Sequence, residues 1–187
     1  MIFNNHSNLE GQHAFLSASQ YHWLNYDIDK LKSSFINHLA TLKGTELHDL
    51  ASRLIKKRMK LESNGSTISL FTNDAIDLGM SSEKVLYFSM NCFGTADAIS
   101  CDDLLRIHDL KTGKTTASMN QLMIYAALFC LEYDVNPEDI QIELRIYQLD
   151  AIKVCQPMPR EIRAIMDTII IFDEVIEELK QEELRNV

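Results

Sequence analysis

Apolar positions recur at helical spacing early in the chain, alternate through its middle, and return to helical spacing near its end. Residues 20–41 read mainly as helix, with an aromatic entry at Tyr21, Trp23 and Tyr26. Over residues 44–62 the pattern is clearest. Leu47, Leu50, Ala51, Leu54, Arg58 and Leu61 share one stripe, while Arg53, Lys56 and Lys60 gather opposite. Thr45 is the expected N-cap and Asn64-Gly65 the expected stop, because glycine readily closes a helix. A shorter helix is expected over residues 67–79, then extended runs over 85–90, 92–99 and 104–110, with Asp102-Asp103 as turn chemistry between the last two. Residues 118–133 return to helix, capped by Thr116 or Ser118 and broken by Asn136-Pro137. Ile140, Ile142, Leu144 and Ile146 alternate as a half-buried strand, and Pro159 opens a long acidic helix from a favoured first-turn position. The order predicts an α/β fold: a mixed β-sheet flanked by helices, behind a helical N-terminal segment. No boundary, repeat or low-complexity tract interrupts it, so a single domain over residues 1–187 is expected.

Composition narrows the function classes. No apolar run is long enough to span a bilayer, so no membrane partner is expected. The start Met1-Ile2-Phe3-Asn4-Asn5-His6 lacks the basic-then-apolar order of a secretory signal, which makes the cytoplasm the expected compartment. Cys92, Cys101, Cys130 and Cys155 are scattered, with no Cys-x-x-Cys pair, and read as reduced, mostly buried thiols rather than metal ligands. With 18 basic and 27 acidic residues the net charge is −9, which counts against nonspecific DNA binding through phosphate neutralisation. A metal-dependent nuclease stays open, because a bound metal neutralises carboxylates around it and charge can be segregated within a fold.

The candidate chemistry lies around the expected hairpin. A turn at Asp102-Asp103 sets residue 97 opposite residue 108 or 109, and directly opposed side chains stand ~5 Å apart. Asp97 and Asp109 could then share a hard cation such as Mg²⁺. Asp109 and Lys111 are two apart on a strand and share a face, which sets an ammonium where it can hold a water in line with a phosphate. Gln121 and Tyr125, at i and i+4, share a helix face from which Gln can orient a water or a lysine. Thr112-Gly113-Lys114 adds a flexible turn and a second cation, and His48, at the edge of its apolar stripe, offers an imidazole as a third ligand.

With those residues in view, the sequence resembles the PD-(D/E)XK nuclease superfamily, in its RecB-like exonuclease branch, over roughly residues 44–125. Gly44-Thr45-Glu46-Leu47-His48 looks like the family's histidine helix and Gly94-Thr95-Ala96-Asp97 like its first metal aspartate. Asp109-Leu110-Lys111 looks like the acid-x-lysine pair, and Gln121 with Tyr125 like the branch-specific helix. The resemblance implies a restriction-endonuclease-like core, with a helical part over about residues 1–80 and a catalytic hairpin and helix over about 83–134. It implies Mg²⁺ or Mn²⁺ held by Asp97, Asp109, His48 and the Leu110 carbonyl, with Lys111 positioning the attacking water. Some members carry an iron–sulfur cluster on four cysteines, three of them late in the chain. Only Cys155 lies beyond Cys130 here, so no such cluster is expected. The stretch Ser17 to Tyr26 has a phage-protein look, which would make the compartment a host cytoplasm.

Each residue also has a plainer reading. An isolated Asp-x-Lys is usually a solvated strand face, His48 a packed histidine, and Tyr125 part of a buried helix beside Leu122, Ala126 and Phe129. Gln121 is expected buried and therefore in need of partners. His108 should face away from Asp109 and be structural, and Asp74 and Asp77 should be exposed helix acids. Lys56, Lys57, Arg58 and Lys60 form either a solvated face or, through Lys56 and Lys60, a DNA track beside Thr112 and Lys114. Asp173, Glu174, Glu177, Glu178, Glu182 and Glu183 read as a solubilising surface rather than a partner-docking or DNA-excluding edge. The expected function is a metal-dependent DNA exonuclease acting in end processing for recombination or repair, with DNA and a recombination or replication protein as partners. The alternatives are a structure-specific endonuclease with the same chemistry and a non-catalytic DNA-binding or assembly module that keeps the fold.

Overall fold

The computed structural model describes residue 5, residues 7–9 and residues 11–185. The chain falls into two compact units, Met1–Thr45 and Glu46–Val187.

In the first unit, 3-10 turns at Ser7–Leu9 and Ala18–Asn25 precede helix α1 (Ile28–Lys56), whose residues after Thr45 belong to the second unit. Asp27 caps α1: its Oδ1 accepts the Lys30 amide at 2.7 Å, which satisfies one of the orphan donors at a helix start. The expected cap at Thr45 is therefore corrected. Thr45 lies inside a continuous helix, and its hydroxyl donates to the Thr41 carbonyl at 3.3 Å. Gly44 is tolerated there although glycine costs about 1 kcal/mol against alanine in a helix interior. Phe15 packs edge-on against Phe35, with ring centres 5.1 Å apart, and the Trp23 indole donates to the Ser17 carbonyl at 2.8 Å.

Helix α1 also stops earlier than expected. Arg58 takes φ 54°, and the Met59 amide donates to the Leu54 carbonyl at 3.0 Å, the bond pattern that closes a helix through a left-handed residue. Arg58 adopts this conformation without being glycine because its guanidinium is held at 3.3 Å by the carbonyls of Ile76 and Gly79. Those carbonyls lie at the negative end of helix α2 (Thr67–Asp77), where a cation is favourable.

Strands β1 (Ser81–Ser89), β2 (Cys92–Cys101), β3 (Leu104–Lys111), β4 (Gln141–Gln148) and β5 (Ala151–Cys155) form one sheet in that spatial order. Pairing is antiparallel except between β3 and β4, which run parallel and are joined through helix α3 (Asn120–Glu132). The mixed sheet and its helical flanks follow the expected α/β layering. Leu105 and Ile107 of β3 with Ile142, Leu144 and Ile146 of β4 pack under α3 and the start of helix α4 (Pro159–Arg185), through Leu122, Ala126, Leu128 and Ile162. The opposite face carries Ala98, Leu110 and Tyr147 under Phe71 and Ala75 of α2 and Ala51 and Ile55 of α1. Each large side chain buried this way contributes roughly 1.5–3 kcal/mol.

Strand β5 was not expected. Its turn, Leu149-Asp150, has both residues at positive φ (52° and 57°) but contains no glycine to announce it, and Ile152 and Val154 face outward on an edge strand. Asp150 is held in place because its carboxylate accepts both the Thr67 amide (2.7 Å) and the Thr67 hydroxyl (2.9 Å), capping α2 from across the fold. Helix α3 takes its cap at Met119 rather than Thr116 or Ser118, and the Ser118 hydroxyl accepts the Asn120 amide at 3.2 Å. The thiols are more open than expected: Cys130 is buried, Cys92 and Cys155 are half-buried, and Cys101 is exposed. No described helix is long and apolar enough to cross a membrane.

Candidate metal centre

Strands β2 and β3 pair as Ala98 with His108 through Cys101 with Leu105. Carried one step further, that register sets Asp97 level with Asp109, but regular pairing has ended there. Asp97 Oδ2 instead accepts the Leu110 amide at 2.8 Å. Strand β2 loses its simple alternation at this point. Ala96 packs in the core under α3 while Ala98, two residues on, packs in the core under α2. Asp97 therefore lies where the strand changes faces.

Two groups of side chains result. In the first, His48 of α1 brings Nδ1 to 3.3 Å from Asp97 Oδ2, and Glu83 of β1 joins them, with one ligand atom from each residue within 4.8 Å of the others. Glu83 has φ 53°, a left-handed conformation that is unusual in a strand. It stands between the pairs Ser82 with Ala98 and Lys84 with Ala96, at the level of Asp97. The His48 pKa is raised, first by its hydrogen bond to Asp97 and against the effect of burial. The Glu83 pKa is raised by burial and then by the charge of Asp97.

In the second, Asp109 is 2% exposed, and the Lys111 ammonium lies 3.1 Å from its Oδ1 and 3.0 Å from its Oδ2. Only the Oδ1 contact has hydrogen-bond geometry, so Oδ2 is a buried acceptor with no hydrogen bond. Burial and then the charge of Asp97 push the Asp109 carboxyl up, with Lys111 opposing. Lys111 also donates to Gln121 Oε1 at 2.8 Å, and Gln121 Nε2 donates to the Tyr125 hydroxyl at 3.0 Å. Four residues of β3 and α3 thus form one chain of polar contacts. Gln121 is exposed rather than buried, contrary to expectation, yet it bonds on both sides. Gly94 fits this chain for a steric reason: a Cβ there would lie 2.8 Å from Tyr125 Cε1.

The predicted ligands are therefore brought together in part. His48 and Asp97 meet, and Glu83, which no sequence motif singled out, joins them. Asp109 is not in that tight group but is coupled to it through the charge of Asp97. The Leu110 amide donates to Asp97. Cross-strand register was the one signal that could have found Glu83. Thr112 and Lys114 are exposed in the loop after β3, whose carbonyls at Gly113 and Thr115 are held by Gln148 at 2.7 and 2.8 Å. Lys56 is exposed at the end of α1, and Lys60 forms an ion pair with Asp77.

His108 faces away from Asp109, as expected, and is fully buried. Its Nδ1 lies 3.1 Å from the Tyr147 hydroxyl, which donates to Asp74 Oδ2 at 2.7 Å. Tyr147 therefore accepts from a neutral imidazole protonated at Nδ1. Burial, then Arg145 and Arg106, lower the His108 pKa to about 3. Asp74 is consequently not the exposed helix acid expected. It is half-buried and also accepts from Arg145 at 3.3 Å. No protein-family model, curated protein or solved structure matches this chain.

Proposed function

We propose that the unit Glu46–Val187 is a divalent-metal-dependent DNA exonuclease with a restriction-endonuclease-like core, a RecB-like member of the PD-(D/E)XK superfamily. One observation carries the reading. A lysine shared between a buried aspartate and Gln121 stands beside a coupled His–Asp–Glu group, all on the sheet and helices of one unit.

The donor set fits Mg²⁺ or Mn²⁺. His48, Asp97 and Glu83 supply hard oxygens and one imidazole within reach of one another, and Asp109 Oδ2 is a buried oxygen without a hydrogen bond. Asp97, His48, Glu83 and Asp109 would hold the ion. When bound, the ion lowers the pKa of a water and draws charge from the scissile phosphate. Lys111 orients the attacking water and offers positive charge to the phosphate, and its own direction is fixed by Asp109 and Gln121. Tyr125 orients Gln121 and presents a half-buried ring over Gly94. Thr112, Lys114 and Lys56 are exposed where a DNA backbone could pass.

The test compares end-labelled linear DNA with covalently closed circles, in Mg²⁺, Mn²⁺ or EDTA, for wild type, Asp109→Ala and Lys111→Ala. The expected result is cleavage of linear DNA only, abolished by EDTA and by either substitution. Cleavage of closed circles would make the protein an endonuclease. DNA binding without cleavage by wild type would make it a non-catalytic binding module.

A further inference from the structure

Helix α4 carries a seam of apolar residues at alternating steps of three and four: Ile162, Ile165, Ile169, Phe172, Ile176 and Leu179. That spacing is the signature of a helix packed along another helix. The first three residues belong to the core beneath α3. The last three do not: Phe172 is 62% exposed, Ile176 38% and Leu179 55%, with Val175 bare beside them. The seam begins inside the fold and runs out uncovered.

This half of α4 is nevertheless fixed. Asp173 Oδ1 accepts the Asn91 side-chain amide at 2.7 Å, and Glu177 Oε1 accepts the same amide group at 2.7 Å and the Lys180 ammonium at 2.8 Å. The β1–β2 turn thus ties down one side of the helix while the apolar stripe points elsewhere.

Charge selects the occupant. From Ile171 to Arg185 the helix has six carboxylates against Lys180 and Arg185. A second copy of this helix would bring acid against acid, and like charges beside a packed seam are unfavourable. Anionic lipid and nucleic acid are repelled for the same reason. The surface that fits is an amphipathic helix with an apolar heptad seam flanked by lysine and arginine.

We propose that the outer half of α4 is a docking surface for such a basic amphipathic helix of another protein. The inference goes beyond the proposed nuclease reading and stands or falls separately from it.

The test uses the full chain and two labelled synthetic peptides of three heptads with the same leucine seam, one flanked by Lys and Arg and the other by Glu. Binding is read by fluorescence anisotropy and self-association by sedimentation equilibrium. The basic peptide is expected to bind, and the acidic twin at least tenfold more weakly. The doubly substituted Phe172→Glu, Leu179→Glu chain should lose at least tenfold affinity for the basic peptide although it is more acidic. Both positions are exposed, so circular dichroism and Tm should match wild type. Unchanged binding by that variant would reduce the interaction to bulk charge and overturn the proposal. Absence of binding, equal binding of both peptides, or a wild-type dimer lost in the variant would overturn it as well. The last result would make a second copy the occupant.

Discussion

His108 and Asp109 are neighbours in sequence, both buried, and point to opposite faces of β3. Their surroundings differ in kind. His108 joins Tyr147, Asp74 and Arg145 in a network between β4 and α2, where burial keeps the imidazole neutral. Asp109 joins Lys111, Gln121 and Tyr125 in a chain that runs outward to an exposed glutamine. Burial of a polar group does not by itself distinguish scaffold from site. What separates the two regions is what the network ends on: one ends in the Asp74–Arg145 ion pair, and the other on an exposed glutamine beside a half-exposed lysine and a crowded carboxylate group.

The sharpest way to break this comparison is to remove one member of each region. Lys111→Ala should lower metal-dependent cleavage by about 10²–10³-fold, the scale of losing one preorganised charge-stabilising group. Tm should fall as well, because Lys111 is the charge partner of the buried Asp109, so rates are compared per folded molecule. Initial rates on linear DNA with a parallel melt would check both, and an active Lys111→Ala would place the chemistry elsewhere.

The His108 region should respond to pH. The folded-state pKa of His108 is about 3 against an ordinary 6.5. A depressed histidine favours the fold fully above pH 6.5, and that contribution is lost as pH falls toward 3, because the unfolded chain takes up the proton first. The metal-free protein should therefore lose up to about 1.4 kcal/mol per pH unit in this window from this group alone. His108→Asn, which keeps a donor toward Tyr147, should flatten that slope in urea melts at several pH values. An identical slope would mean that His108 is not held neutral.

Tyr147→Phe should cost about 1–3 kcal/mol, since it leaves the His108 donor unpaired and removes one bond to Asp74. Cleavage per folded molecule should stay at the wild-type level. Lost activity in the folded variant would join the two regions that the structure separates.

Gly94→Ala is expected to have a more local effect. The new Cβ must push the Tyr125 ring aside and loosen its bond to Gln121, at about 1–3 kcal/mol of overpacking. Combining it with Tyr125→Ala should give less than the sum of the two single losses. Strict additivity in that cycle would deny the contact.

Much of this was legible in the chain. The alternation over residues 140–146, the acid–acid turn at 102–103 and the helix at 67–79 each reflect local periodicity or turn chemistry, and the structure has β4, the β2–β3 hairpin and α2 there. The Asp109–Lys111 and Gln121–Tyr125 contacts follow the two-residue and four-residue spacings that put side chains on one face, whereas the Lys111–Gln121 bond joins β3 to α3. What was missed depended on distant partners. Glu83 enters its group through cross-strand register and a left-handed backbone, and Asp74 is drawn inward by Tyr147 and Arg145 from β4. Strand β5 follows a turn without glycine that is stabilised by its bond to Thr67, and α1 ends at Arg58 because α2 holds the guanidinium. None of these partners lies within a local window of sequence.

The most direct measurement is a Mn²⁺ titration of the purified protein followed by electron paramagnetic resonance, which needs no knowledge of substrate. Saturable binding is expected, weakened at least tenfold by Asp97→Asn and by Glu83→Gln and unaffected by Tyr147→Phe. No bound Mn²⁺ at millimolar concentration, or binding indifferent to Asp97→Asn, would contradict a metal centre between β1, β2 and α1.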